Sequence, residues 1–202
     1  VFGEVLGIPA VDRETLVKAA NTMSSVLATP EEQDRCRSEL FSYFRELATE
    51  RRKQPGDDVA SILVSPNDNG EQLSAEELDA YFLLLVIAGN ETTRFLLAGG
   101  LEQLLLQPNA MQRLRKEPSL IPSAVEEMIR WVTPVIHMRR TVTEDTQAFG
   151  LDVAAGSKFV LYFSAANRDP QVFEDPHSFR VDRTPNKHVG FGAGHHFCMG
   201  AY

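Results

Sequence analysis

Cysteine is scarce: Cys36 and Cys198 are the two in 202 residues, and they lie far apart in the chain. Two such cysteines cannot form the disulfide framework of a small secreted protein, so a reducing cytosol is the expected setting. Excess positive charge is missing as well. With 28 acidic against 20 basic residues the formal net charge is −8, which gives no general attraction to nucleic acid or anionic membranes, and neither is expected as a partner. No unbroken apolar run is long. Tyr81 to Gly89 falls far short of the ~20 residues a membrane span needs. No signal peptide, internal repeat or low-complexity tract is visible. What remains, 43% hydrophobic and 24% charged, describes a globular chain of one-domain size.

Helix signals fill the first two-thirds. Asp12 is placed to cap a helix running to about Leu27, with Leu16, Ala19, Ala20 and Met23 on one face. Thr29-Pro30-Glu31-Glu32 is a capping box with a first-turn proline, and its helix should end in Arg51-Arg52-Lys53. Asp57 to Val64 reads as a short helix before a turn-rich segment. Ser74-Ala75-Glu76-Glu77 is a second capping box opening a helix over about 74–107, some 50 Å long at ~1.5 Å per residue. Pro108 and Pro122 mark the first turns of two shorter helices, the second spanning about 122–133. Arg140-Thr141-Val142 and Lys158 to Phe163 then read as strands, with Gly150 and Gly156 in turns. Ala165 to Gly194 is expected to be irregular, and ordered segments of that kind are usually functional. The fold class is mainly α with a small β part.

The densest chemistry is Phe191-Gly192-Ala193-Gly194-His195-His196-Phe197-Cys198-Met199-Gly200, over 190–200. A metal-bound cysteine is a thiolate, which needs nearby backbone donors to stay ionised. Gly192 and Gly194 let the loop bend sharply, Phe191 can cover the sulfur, and Gly200 permits close approach of a flat ligand. A lone cysteine is more often a small buried hydrophobe. His188, His195, His196 and Cys198 could also suggest zinc, but adjacent histidines are awkward ligands for one ion and paired cysteines are missing.

This segment resembles the Phe-Gly-x-Gly-x-His-x-Cys-x-Gly signature of the cytochrome P-450 family at every fixed position. The resemblance implies haem b with Cys198 as axial iron ligand. Ala88-Gly89-Asn90-Glu91-Thr92-Thr93, a polar notch in an apolar helix, resembles the family's Ala/Gly-Gly-x-Asp/Glu-Thr-Thr motif. A solvated helix face is the bland alternative, but the apolar flanks argue for burial. The resemblance implies that Glu91 and Thr92 manage oxygen activation, the Thr92 hydroxyl holding the oxygen and a water while Glu91 passes protons in from solvent, and that Ala88 and Gly89 face the haem, Gly89 loosening the helix.

Glu127 and Arg130 share a face of an amphipathic helix that carries Val125, Met128, Ile129 and Val132 inward. On its own, such a pair is a routine surface ion pair of ~0–1 kcal/mol. Here the resemblance implies the family's Glu-x-x-Arg motif, completed by Arg183 into a buried structural triad. It also places Arg140, with Arg139 as substitute, and His196 on the haem propionates. Leu84, Leu85, Ala88, Val135, Ile136 and His137 are expected to line a substrate pocket. Ala165-Ala166-Asn167-Arg168-Asp169-Pro170 resembles bacterial members and is given a packing role.

The stretch from Val1 to Pro9 resembles the middle of a bacterial member, and the chain stops just after the cysteine motif. A single cytochrome P-450 domain truncated at both ends is therefore the expectation, with the fragment by itself inactive. The implied activity is insertion of one atom of O2 into a small hydrophobic molecule such as a steroid, terpenoid or fatty chain. A haem-binding piece without turnover is the alternative, against which the presence of Glu91 and Thr92 argues. No flavin or iron–sulfur motif occurs, so electrons from NAD(P)H should arrive through a ferredoxin and its reductase. A cytoplasmic monomer is expected.

Overall fold

The computed structural model describes residues 2–201. Val1 and Tyr202, the expected ends of a partial chain, lie outside the described residues, as does the side chain of Phe2. The helices are α1 (Phe2–Val5), α2 (Ala10–Ser24), α3 (Pro30–Lys53), α4 (Val59–Val64), α5 (Ala75–Leu106), α6 (Pro108–Lys116), α7 (Ile121–Val132) and α8 (Phe163–Ala166). The strands are β1 (His137–Thr141), β2 (Thr146–Ala148), β3 (Leu151–Val153) and β4 (Lys158–Tyr162). The residues cluster into two compact units, Val1–Glu91 and Thr92–Tyr202.

In the first unit, Leu40, Phe44 and Leu47 of α3 form a core with Leu16 and Ala20 of α2 and with Leu78, Phe82 and Val86 of α5. Phe44 and Phe82 stack with ring centroids 4.8 Å apart. Both capping boxes form: Thr29 and Glu32 exchange side-chain to backbone bonds of 3.2 and 2.8 Å, as do Ser74 and Glu77. Asp12 does not cap α2. The N-cap is Pro9, without a side-chain bond, and the helix ends at Ser24 rather than Leu27. Asp12 lies in the first turn and accepts a 2.9 Å bond from the Tyr43 hydroxyl, a tertiary partner that outcompetes the local one.

Asp58 caps α4, accepting from the Ser61 amide at 2.7 Å and from Arg51 Nε at 2.8 Å. Arg51 also donates to the Gly7 carbonyl at 2.7 Å. Gly7 has φ +73°, and a Cβ there would strike the Asp58 carboxylate, so position 7 needs glycine twice over.

α5 runs unbroken from Ala75 to Leu106, through Gly89. By length and composition it is long enough and apolar enough to cross a membrane, although its longest unbroken apolar run is short, because leucine-rich stretches flank residues 90–94 on both sides. Arg94, near the middle, would cost about 2.5–3.5 kcal/mol at a bilayer centre. The expected burial of the notch is not seen: Glu91, Thr92 and Thr93 are half-buried and Ala88 is exposed. The helix is apolar nearly all round, whereas in the first unit its buried residues are Leu78, Asp79, Phe82 and Val86, with Asp79 paired to Arg45.

In the second unit, Ala124 of α7 packs with Leu104 of α5 and with Phe179 and Val181 from the irregular segment. Cβ atoms on Gly99 and Gly100 would meet Val132 at 2.9 Å and Met128 at 2.7 Å, so these glycines admit α7 close to α5. Val125 is exposed rather than inward, because the inward stripe of α7 runs through Ala124, Glu127, Ile129 and Arg130. Thr133 ends α7 at φ +44°. β1 pairs with β4 antiparallel, Arg139 opposite Val160 and Arg140 opposite Phe159. Between them β2 and β3 form a second hairpin, turned at Phe149 and Gly150, both with positive φ, which strand propensity did not reveal.

The centre of this unit is ionic. Glu127 and Arg130 are fully buried and Arg183 is 5% exposed. Glu127 accepts from Arg130 Nε at 2.7 Å and Nη2 at 2.8 Å, from Arg183 Nε at 3.0 Å, from the Arg180 amide at 2.8 Å and from Asn186 Nδ2 at 3.1 Å. The remaining Arg130 donors reach the carbonyls of Asn167, Pro176 and Ser178, so all five are used. Arg183 ties down the carbonyls of Glu174, Asp175 and Ser178.

Two outcomes follow from this packing. Burial raises the Asp58 carboxyl, but the Ser61 and Arg51 bonds outweigh it and hold the group below its ordinary value. Its contribution to stability is therefore complete above that value and is lost as pH falls through the depressed folded value. Acid unfolding should show a shallower low-pH slope in Asp58→Asn than in the unmodified chain; equal slopes would contradict the assignment. Glu127→Ala leaves two buried guanidiniums without their anion and should cost about 3–5 kcal/mol. Denaturant titration measures it, and a loss below about 1 kcal/mol, the size of a surface pair, would show that the triad is dispensable.

Candidate haem-thiolate site

The cysteine loop leaves the irregular segment through three contacts. His188 Nε2 lies 2.8 Å from Glu126 Oε2 on α7. The Val189 amide donates to Asn167 Oδ1 at 2.8 Å. Gly190 lies so close to α7 that a Cβ on it would be 2.6 Å from Ile129 Cγ2. Asn167 is fully buried, and its Nδ2 donates to Thr133 Oγ1 at 2.9 Å while its carbonyl accepts from Arg130. It thus links the triad, the left-handed end of α7 and the loop. The sequence reading gave this stretch a packing role only; a polar Asn in Ala165-Ala166-Asn167-Arg168 was the one available signal. Arg168 stacks over Trp131 at 5.0 Å and donates to its carbonyl at 2.7 Å.

Beyond Gly190 the loop is held by its own backbone. Gly192 and Gly194 adopt φ +73° and +71°, conformations that strain other residues. The Gly192 amide donates to the Val189 carbonyl at 2.9 Å, and the Phe197 amide to Gly194 at 3.0 Å. The Cys198 amide donates to the Phe191 carbonyl at 3.0 Å, bringing the cysteine back beside the start of the loop. Phe191 is half-buried and makes edge contacts with His188 and Phe197, at 5.7 and 6.1 Å.

The Cys198 thiol is free and exposed, unlike the buried Cys36 on α3. Among the described residues, a Cβ on Gly200 would meet the Cys198 sulfur alone, at 3.7 Å. His196 is exposed on the same loop, and Arg140 is exposed on β1, donating to the Arg139 carbonyl at 3.0 Å. Strand alternation sends Arg139 and Arg140 to opposite faces, so one of them at most can serve a given ligand. An exposed thiol on a pre-bent loop, with the donor side chain of His196 two residues before it, fits a haem. The loop does not fit zinc: among the described residues no three His, Cys, Asp or Glu side chains converge, and His188 is taken by Glu126.

The residues expected to line a substrate pocket divide between the units. On α5, Leu84 and Ala88 are exposed and Leu85 half-buried; after α7, Val135 is half-buried and Ile136 and His137 exposed. His137 packs its ring against Tyr162 at 5.6 Å.

Comparison with known proteins identifies the family of the chain. The chain is 40% identical to a steroid C26-monooxygenase of Mycolicibacterium smegmatis over 99% of its length and 51% of that protein's. It is equally similar, at 40%, to a methyl-branched lipid omega-hydroxylase of Mycobacterium bovis, covering 100% of the chain and 49% of that protein. Among solved structures, the Bacillus subtilis cytochrome P450 PksS superposes with a TM-score of 0.91 at 37% identity, over 99% of this chain and 52% of that one. The Bacillus megaterium enzyme CYP109E1 in complex with corticosterone gives 0.89 at 36%, over 99% and 55%. The chain spans about half the length of the curated relatives it matches. The cytochrome P450 family model matches residues 27–202, and the chain belongs to the cytochrome P450 family.

Proposed function

We propose that the whole protein is a haem-thiolate monooxygenase that inserts one atom of O2 into a hydrophobic substrate, with Cys198 as the iron ligand. The observation that carries this reading is the exposed Cys198 thiol, presented by a loop with two left-handed glycines and docked on α7. The family uses haem b, O2 and electrons drawn from NAD(P)H through redox partners. Bound through a thiolate, haem supplies O2 binding and the electron density that favours O–O cleavage.

The chain's own residues supply the rest. Phe191, half-buried at the start of the loop, would cover the sulfur in the whole protein, and Gly192 and Gly200 would leave room for the macrocycle. Arg140 and His196 hold its carboxylates, since buried carboxylates need donor or cationic partners. Ala88 and Gly89 present a small helix surface to it. Glu91 takes protons from solvent and Thr92 holds one at Oγ1 for delivery. Glu127, Arg130 and Arg183 keep α7 and the irregular segment in register beneath the loop. Leu84, Leu85, Ala88, Val135, Ile136 and His137 contact the substrate, which we assign to steroids or branched lipids because relatives of both kinds match at equal identity. Electrons arrive from a ferredoxin and its reductase, to a monomeric enzyme in the cytoplasm.

The reduced whole protein with carbon monoxide should show the red-shifted Soret band of a thiolate-bound haem, and Cys198→Ala should lack it. A band of the histidine-ligated type would refute the ligand. Thr92→Ala should keep haem and that band but lose about tenfold or more of its product per O2 consumed, releasing hydrogen peroxide instead. Unchanged coupling in that variant would remove Thr92 from proton delivery.

A further inference from the structure

His188 is used neither by the triad nor by the ligand set, yet it touches both neighbourhoods. The Gly190 amide donates to its Nδ1 at 3.2 Å. An accepting Nδ1 carries no proton, so the proton sits on Nε2, which donates to Glu126 Oε2 at 2.8 Å. The side chain is 4% exposed, whereas that of Glu126 is 49% exposed. The same imidazole meets the Phe191 ring edge-on at 5.7 Å, and the Phe191 carbonyl receives the Cys198 amide. One ring therefore connects α7, the turn at Gly190 and the residue to which the cysteine is hydrogen-bonded. The other two anchors, Val189 to Asn167 and Gly190 against Ile129, hold backbone and leave the Phe191 ring unconstrained.

We propose that His188, held by Glu126, is a positioning residue for the ligand loop, orienting Phe191 and through it the Cys198 sulfur. This rests on Cys198 being the iron ligand. Its two nitrogens do separable work: Nδ1 closes the Gly190 turn, while Nε2 fixes the ring against α7. Side chains of other shapes can replace one function without the other. Glutamine places a donor near the position of Nε2, asparagine an acceptor near that of Nδ1, and phenylalanine keeps the ring contact with neither hydrogen bond.

The test follows, in the whole protein, how long the thiolate-type Soret band of the reduced carbon monoxide complex persists before converting to the form without thiolate ligation. Haem content and thermal midpoint are measured alongside. His188→Phe should lose the band about tenfold faster than the unmodified protein, the scale on which partners of a metal ligand act. His188→Gln and His188→Asn, which each keep one hydrogen-bonding position but not the ring, should restore only part of the lifetime. Glu126→Gln, which keeps an acceptor, should behave as unmodified, and Glu126→Leu should match His188→Phe, with no further loss in the double variant. Glu126 is half-exposed, so its variants carry the test if His188→Phe fails to fold. Unmodified lifetimes in both His188→Phe and Glu126→Leu, or effects that add in the double variant, would overturn the proposal. Absence of the thiolate band in the unmodified protein would instead overturn the Cys198 assignment and this inference with it.

Discussion

The second unit is organised around one carboxylate removed from water. Glu127 is fully buried with two guanidiniums, and every acceptor direction of its oxygens is used. Desolvating such charges costs several kcal/mol per ion, and that cost is offset only while the whole set of donors stays in place. The set is long-range: Arg130 and Arg183 together hold five different carbonyls of residues 167–178, a stretch whose own backbone bonds are confined to short-range turns. The irregular chain is ordered because its backbone acceptors satisfy buried arginines, and the arginines are tolerated because the chain satisfies them. Asn186 Oδ1 is the buried side-chain atom left without a partner among the described residues, at the edge of this network.

That arrangement explains why the cysteine loop can be rigid without being part of a helix or sheet. Its entry is pinned to α7 and Asn167, and its interior is closed by its own amides around two glycines in a left-handed conformation. A loop pinned at its entry transmits small displacements of α7 to the sulfur. A well-packed buried network beneath it is then a requirement of the chemistry and not only of stability.

α5 is built differently. Its residues serve two units, it is apolar nearly all round, and the polar group at 90–94 interrupts the pattern. Within each unit only part of its surface is covered, through Leu78, Phe82 and Val86 in one and Leu104 in the other. Leu84 in the first unit and Phe95, Leu97 and Leu101 in the second are exposed.

What the sequence determined by itself was whatever rests on local chemistry. Capping boxes at Thr29 and Ser74, first-turn prolines at 108 and 122, and the glycine spacing around Cys198 were all legible, because their partners lie within a few residues. The Glu127–Arg130 face was legible for the same reason, although the residues alone gave it the value of a surface pair. Burial, which turns that pair into the centre of a unit, depends on Arg183 and on carbonyls some forty to fifty residues away, and only the tertiary structure decided it. The same holds for Asp12, drawn from a capping role to Tyr43, for Val125, exposed despite its apolar character, and for the half-buried notch on α5. Asn167 and His188 were hidden most completely. An asparagine or histidine in a polar, irregular stretch carries no periodicity, and its partners are fixed only when distant backbone comes to lie beside it.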